Sequence, residues 1–142
     1  MDREVIEHLR EYVIKLQKSG IPIKSLILFG SRAKGTHLRD SDVDILIILE
    51  RSNNDFLSRV SKLMKYWDWR YDVDIFPYTI DEVKKLMNKG SITIYDALEH
   101  GIIIFDDGTF SKLRERFNKA LSEGIISKDR RGWWKLPLRE II

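Results

Sequence analysis

The sequence predicts an α/β layered fold, a small mixed β-sheet with helices packed on it. Two short apolar runs, 25–29 and 43–49, are nearly continuous in hydrophobic residues, as strands covered on both faces must be. Around them lie segments whose apolar residues recur at helical spacing. The 142 residues, 43% hydrophobic and 33% charged, suffice for one modest core and not for two full domains.

In chain order, Val5, Ile6, Leu9, Tyr12, Val13 and Leu16 mark an amphipathic helix over 2–19, stopped by Gly20 and Pro22. Ser25-Leu26-Ile27-Leu28-Phe29 is the first strand and ends at Gly30-Ser31. Val43 to Leu49 repeats its character, so the second strand begins at or beside Asp42-Val43-Asp44. Phe56, Leu57, Val60, Leu63 and Met64 predict a helix over 55–66.

Alternation over 70–76 predicts a third strand, closed by Pro77, with Asp72 and Asp74 on one face. Thr79 and Glu82 have capping-box spacing for a helix that Gly90 ends. A short helix around 92–99 and a brief strand from Ile102 to Phe105 follow. Phe110, Leu113, Phe117 and Leu121 stripe a last helix ending at Gly124. No repeat or long linker interrupts this order. Residues 1–110 are read as the main domain, and 111–142 as a helical, basic C-terminal extension of it.

Composition narrows the chemistry. The chain has no cysteine, which removes disulfides and thiolate nucleophiles, and leaves oxygen or imidazole as metal ligands. Hard cations such as Mg2+ are then favoured. No apolar run is long enough to span a bilayer and the N-terminus lacks a signal-peptide core, so a cytoplasmic location without membrane attachment is the expectation. The net charge of +3 is uneven: residues 111–142 carry nine Lys/Arg against four Asp/Glu, leaving 16 against 18 in residues 1–110.

The stretch from Phe29 to Asp44 carries the chemical signal. A strand ending in Gly30-Ser31 presents backbone N–H groups, and glycine admits close approach of a phosphate. Asp42 and Asp44, two apart at a strand, project to one face and can hold a hard cation. Arg32 and Lys34 are candidates to neutralise a triphosphate or to solvate a short helix. Asp74, from the third strand, could complete a three-carboxylate site. A P-loop is excluded because Thr36-His37 stands where Lys-Ser/Thr is required.

At these residues the chain resembles the DNA polymerase β-like nucleotidyltransferase superfamily, whose pattern is Gly-Ser, about ten residues, Asp-x-Asp, and a later acid on another strand. Gly30-Ser31, the spacer 32–41 and Asp42-Val43-Asp44 match it, and Gly-Ser-Arg-Ala-Lys-Gly looks most like the minimal prokaryotic members. The resemblance spans about residues 1–105. It implies the fold of that family, Mg2+ (one or two ions) held by Asp42, Asp44 and Asp74, and a nucleoside triphosphate, ATP first, on Gly30 and Ser31 with Arg32 and Lys34. Asp72 remains the alternative third carboxylate.

The implied reaction moves a nucleoside monophosphate to a protein, RNA or small-molecule acceptor and releases pyrophosphate. Small members also occur beside helical nucleotide-binding proteins, so the alternative is an antitoxin-like partner module that binds or adenylylates such a toxin. His8 and His100 read as structural; His37, in the spacer, is a candidate for nucleotide contact. Tyr66, Trp67, Trp69 and Tyr71 read first as packing. The tail around Trp133-Trp134, with its basic residues, suits intramolecular or homodimer packing, a protein partner, or nucleic acid.

Overall fold

Two apolar strands lie side by side at the centre because only an interior position covers both of their faces. In the computed structural model, which describes residues 2–37 and 41–142, β1 (Ile23–Phe29) pairs antiparallel with β2 (Val43–Leu49). On the other side of β1 lies β4 (Ile102–Asp106), also antiparallel, and outside β2 lies β3 (Val73–Thr79), parallel. The order is β3-β2-β1-β4, a four-stranded mixed sheet.

Side-chain alternation divides the hydrophobic interior into two layers. On one face, Leu26, Leu28, Val43, Ile45 and Ile47 pack against α1 (Arg3–Lys18) and Leu63 of α3 (Phe56–Met64). On the other, Ile27, Phe29, Leu46 and Ile48 meet α4 (Ile80–Lys89), α5 (Ile92–His100) and α6 (Thr109–Ser122). Asp44 shares parity with Leu46 and Ile48, and Asp74 with Phe76 and Tyr78, so both carboxylates stand on the α4–α5–α6 face. The remaining element, α2 (Ser31–Lys34), is a single turn between β1 and β2.

The helix ends follow their capping chemistry. Asp2 accepts from Val5 N–H, Asp55 from Ser58 N–H and Ser91 from Ile94 N–H. The Thr79–Glu82 capping box is fully formed, and Gly90 closes α4 in the left-handed conformation. Glu82 also receives the buried Arg59 guanidinium at 2.6 Å, while Arg59 donates to the carbonyl of Pro77, tying α3 to β3.

Three expectations need correction. Pro77 does not close the third strand: β3 runs through it to Thr79, which is allowed because β3 is an edge and, among the described residues, no strand pairs with its outer N–H positions. The strand also starts at Val73, so Asp72 precedes it, and the backbone carbonyl of Asp72 accepts from Val43 N–H at 2.9 Å. Beyond Ser122 the extension is not helical. Gly124, with φ 71°, turns the chain, and residues 123–142 run irregularly over the α4–α5–α6 face, where Ile126 and Ile141 are buried. Trp134 packs edge-on to Tyr95 and Phe117 at 5.1 and 5.7 Å, whereas Trp133 is exposed. No described helix is long and apolar enough to cross a membrane.

Candidate active site

Where β1 stops and β2 starts, the chain must turn sharply beside a carboxylate, and this dictates glycine. Gly30 has φ 74° and ψ −158°, a backbone region that is essentially glycine's alone. A Cβ at this position would also collide with the side chain of Asp44, which lies opposite Phe29 in the β1–β2 ladder. Gly30 is thus specified both by its backbone and by the carboxylate that leans over it. Ser31 opens α2, and Gly35 closes it in the left-handed conformation.

The carboxylates converge by register. Asp44 on β2 is the direct partner of Asp74 on the parallel strand β3, and the charge of Asp74 acts on it. Asp42 is exposed just before β2, and its charge acts on Asp44. Burial, then the charges of Asp74, Asp42 and Asp96 push the Asp44 carboxyl up to about 6. Like charges gathered in this way repel one another unless a cation or a shared proton relieves them.

Asp96 is the member that sequence reading missed. Its side chain on α5 reaches across the other layer, accepting from the Gly30 N–H at 3.2 Å through one oxygen and binding Lys34 Nζ at 2.8 Å through the other. In the sequence it is a single acid inside the apolar helical stretch Ile-Tyr-Asp-Ala-Leu, and nothing local marks it as belonging to the Gly30 turn. Only the packing of α5, fixed by buried Ile94, Tyr95, Ala97 and Leu98, turns it toward the Gly30 turn.

The other named residues divide. Gly30, Ser31, Lys34, Asp42, Asp44 and Asp74 lie around the β1–β2 turn and the start of β3. Arg32 points elsewhere. Its guanidinium is buried, donating to Asp2 at 2.6 Å and twice to the Ser41 carbonyl at 2.9 and 2.7 Å, beneath the Tyr71 ring. It fixes the residue before Asp42 and the start of α1 in place, so its charge is already engaged by the fold. His37 faces the same Asp2 at 3.5 Å. The spacer residues Leu38, Arg39 and Asp40 lie outside the described residues. His8 stacks on Trp69 at 4.0 Å, and Trp67, Trp69 and Tyr71 pack against the α1 layer.

As to metal, no three described His, Asp or Glu side chains are gathered into a ready cage. The donor set nonetheless suits a hard divalent cation. It is all oxygen, and the mutual repulsion that raises Asp44 is what such a cation would relieve.

Comparison with known proteins identifies the family and the fold. The model of the nucleotidyltransferase domain family matches residues 6–104. A Methanocaldococcus jannaschii protein bearing the name "putative protein adenylyltransferase MJ1305" is 30% identical over 117 residues, covering 79% of this chain and 80% of its own. A second from that organism, MJ1379, with the same kind of name, is 35% identical over 63 residues, 44% of this chain and 62% of its own. Among solved structures, a "putative nucleotidyltransferase" from Sulfolobus solfataricus superposes with TM-score 0.51 at 19% identity, covering 72% of this chain and 80% of that one. A toxin–antitoxin structure with AMP-PNP gives 0.50 at 22% identity, covering 81% and 90%. At such identities the structural likeness concerns the fold, which is the same mixed sheet flanked by helices.

Proposed function

This chain belongs to the nucleotidyltransferase domain family, and from that premise we propose that it transfers AMP from ATP to a hydroxyl group on a protein, releasing pyrophosphate. The observation that carries the reading is the Asp44–Asp74 pair set against the Gly30 turn. A fold that places acids side by side and leaves one of them raised to about 6 sacrifices stability there, a sacrifice that binding and catalysis account for. Protein as the acceptor is supported by the names of the two Methanocaldococcus relatives.

Asp42, Asp44 and Asp74 would hold Mg2+, which when bound supplies charge neutralisation and alignment of the phosphates. The Gly30 N–H, the Ser31 hydroxyl and Lys34 orient the triphosphate, since phosphoryl chemistry asks chiefly for positioning and electrostatic complementarity. Asp74, at the outer edge of the group, orients the acceptor hydroxyl and receives its proton. The acceptor oxygen forms its bond to the α-phosphorus as the α–β bridging oxygen leaves with pyrophosphate. Asp44 does not serve as that proton acceptor, because it lies beneath the others against Gly30.

The test is transfer of α-labelled nucleotide in the presence of Mg2+, with mass spectrometry of the acceptor protein. Asp44→Ala and Asp42→Ala should each lower transfer about a thousandfold, comparable with the loss of a principal electrostatic group at other catalytic centres. Failure to bind any of the four triphosphates, or transfer indifferent to Asp44→Ala, overturns the assignment.

The tail supports a second reading, in which the chain is a partner module for a small helical protein, with or without modifying it. Trp133, Leu136 and Leu138 are 64%, 78% and 81% exposed within a basic stretch, more apolar surface than a tail packed only on its own domain needs to show. The neighbouring toxin–antitoxin structures are in keeping with it. Co-purification with such a protein that depends on Trp133 and is untouched by alanine at Asp42 and Asp44 would favour a noncatalytic role.

A further inference from the structure

Two of the three donors that the proposed reading assigns to the triphosphate, the Gly30 N–H and Lys34, are occupied by one side chain of the protein itself. Asp96 Oδ2 accepts from the Gly30 N–H at 3.2 Å, and Asp96 Oδ1 pairs with Lys34 Nζ at 2.8 Å. A carboxylate bridging a backbone amide and an ammonium reproduces the contacts a phosphate makes at such a turn. The pair is neither buried beyond reach nor loose on the surface: the side chains are 21% exposed for Asp96 and 38% for Lys34.

The carrier of this carboxylate is rigid. On α5, Ser91 caps the first turn, the buried Tyr95 hydroxyl donates to the Met87 carbonyl at 2.6 Å, and Ala97 is buried on the next position. Asp96 can therefore leave Gly30 and Lys34 only by rotating its own side chain, not by movement of the helix. Once rotated, it remains beside Asp44, whose carboxyl already registers its charge.

We propose that Asp96 is an anionic placeholder: it occupies the phosphate seat at Gly30 and Lys34 in the free protein, competes with triphosphate for those donors, and is displaced when nucleotide binds. This rests on the reading of the Gly30 turn as the triphosphate site. Two consequences follow from the competition. Apparent affinity for triphosphate is reduced by the fraction of molecules in which Asp96 holds the donors. Displacement also returns an uncompensated carboxylate to a crowded acidic group, so triphosphate without a divalent cation is opposed and the two bind cooperatively. The empty seat is thereby kept organised, with Lys34 held in place, while free anions are discouraged.

Inorganic tripolyphosphate with magnesium is the probe, because it has no base and therefore does not depend on base preference. Calorimetric titration of the full chain should show Asp96→Asn binding roughly three- to tenfold tighter than the native protein, the size expected from relieving one half-exposed ion pair and the repulsion behind it. Asparagine is isosteric and can still accept from Gly30, so a purely structural role for Asp96 gives unchanged or weaker binding. Lys34→Met should weaken binding and, combined with Asp96→Asn, should remove most of the gain, because the competition runs largely through Lys34.

Equal or weaker binding by a folded Asp96→Asn, with the native protein binding measurably, overturns the placeholder and leaves the site assignment standing. Absence of tripolyphosphate binding in both proteins overturns the site assignment and the placeholder with it. A tighter Asp96→Asn whose gain persists in the Lys34→Met background also overturns it, since the competition would not lie at the proposed donors.

Discussion

At one end of the sheet, Asp106 on the last residue of β4 accepts from the Ser25 hydroxyl at 2.7 Å, from the Phe110 and Ser111 N–H groups at 3.0 and 3.1 Å, and from the Ser111 hydroxyl at 2.6 Å. At the other end, Asp44 on the second residue of β2 has Asp74, Asp42 and Asp96 as its electrostatic surroundings. Burial pushes the Asp106 carboxyl up, but the donors from Ser111, Ser25 and Phe110 outweigh it and hold the group below the ordinary carboxylate range. Asp44, with acids where Asp106 has donors, rises to about 6. Both are strand-end aspartates in one small sheet. A carboxylate that serves the fold is surrounded by N–H and O–H groups; one surrounded by its own kind needs something from outside the chain.

The comparison breaks most sharply at Gly30. Gly30→Ala places a methyl group against Asp44 at a backbone angle that alanine avoids, and nucleotidyl transfer should fall about a hundredfold or more, as small misplacements at reacting centres do. Circular dichroism should show the fold retained. If alanine is tolerated with full activity, the turn is not the phosphate seat.

Next in size is the opposite end. Asp106→Ala orphans the fully buried Ser25 hydroxyl and uncaps two N–H groups of α6, and chemical denaturation should show a loss of about 2–3 kcal/mol. Removal of the charge at Asp44 should work in reverse. In metal-free protein at pH 7.5, Asp44→Asn should raise the melting temperature by roughly 2–4 °C after allowance for solvent screening, because it removes charge repulsion rather than a bond. Magnesium should raise the melting temperature of the native protein and have little effect on Asp44→Asn.

The pH dependence carries opposite signs at the two ends. Asp44 titrates at about 6 folded against 3.8 as its ordinary value, so its contribution is fully present below about pH 3.8 and is lost as pH rises through 6. Asp106 is depressed when folded, so its contribution is present above the ordinary value and is lost as pH falls through the depressed one. The gap between Asp44→Asn and native protein should therefore open between about pH 4 and 6, stay level above that, and close below about pH 3.8. Smallest of all, Asp42→Asn should shift the Asp44 titration, followed by carboxyl NMR, downward to a minor extent, since burial and Asp74 weigh more. An unmoved midpoint would separate Asp42 from the group.

Much of this contrast was legible in the residues. The order of elements could be read because β1 and β2 are apolar on both faces and because Thr79–Glu82 and Gly90 punctuate α4. Asp42 and Asp44 stood out because acids seldom interrupt the start of such a strand. Register was not legible, and it is register that sets Asp74 beside Asp44 and leaves Asp72 outside the strand. Pro77 misled because a proline reads as a stop until the strand is known to be an edge. Arg32 read as a phosphate ligand or a solvated charge. Its partners include Asp2, Ser41 and Tyr71, from three separated segments that no local pattern connects. Asp96 reaches the turn only through the packing of α5, information that belongs to tertiary structure.

The central place of β1 also governs when the site can form. Its partner β2 follows closely along the chain, but its other partner is late: Ser25 and Asp106 are 81 residues apart. During synthesis β1, β2 and β3 can bring Asp44 and Asp74 together while one flank of β1 is still bare. The closing of that flank by β4 is the longest-range pairing in the sheet and carries the largest loop-closure cost. The apolar edge of β1 that β4 covers is thus the last part of the sheet for which the chain supplies a partner, and until then it is an edge of the kind that proteins otherwise protect.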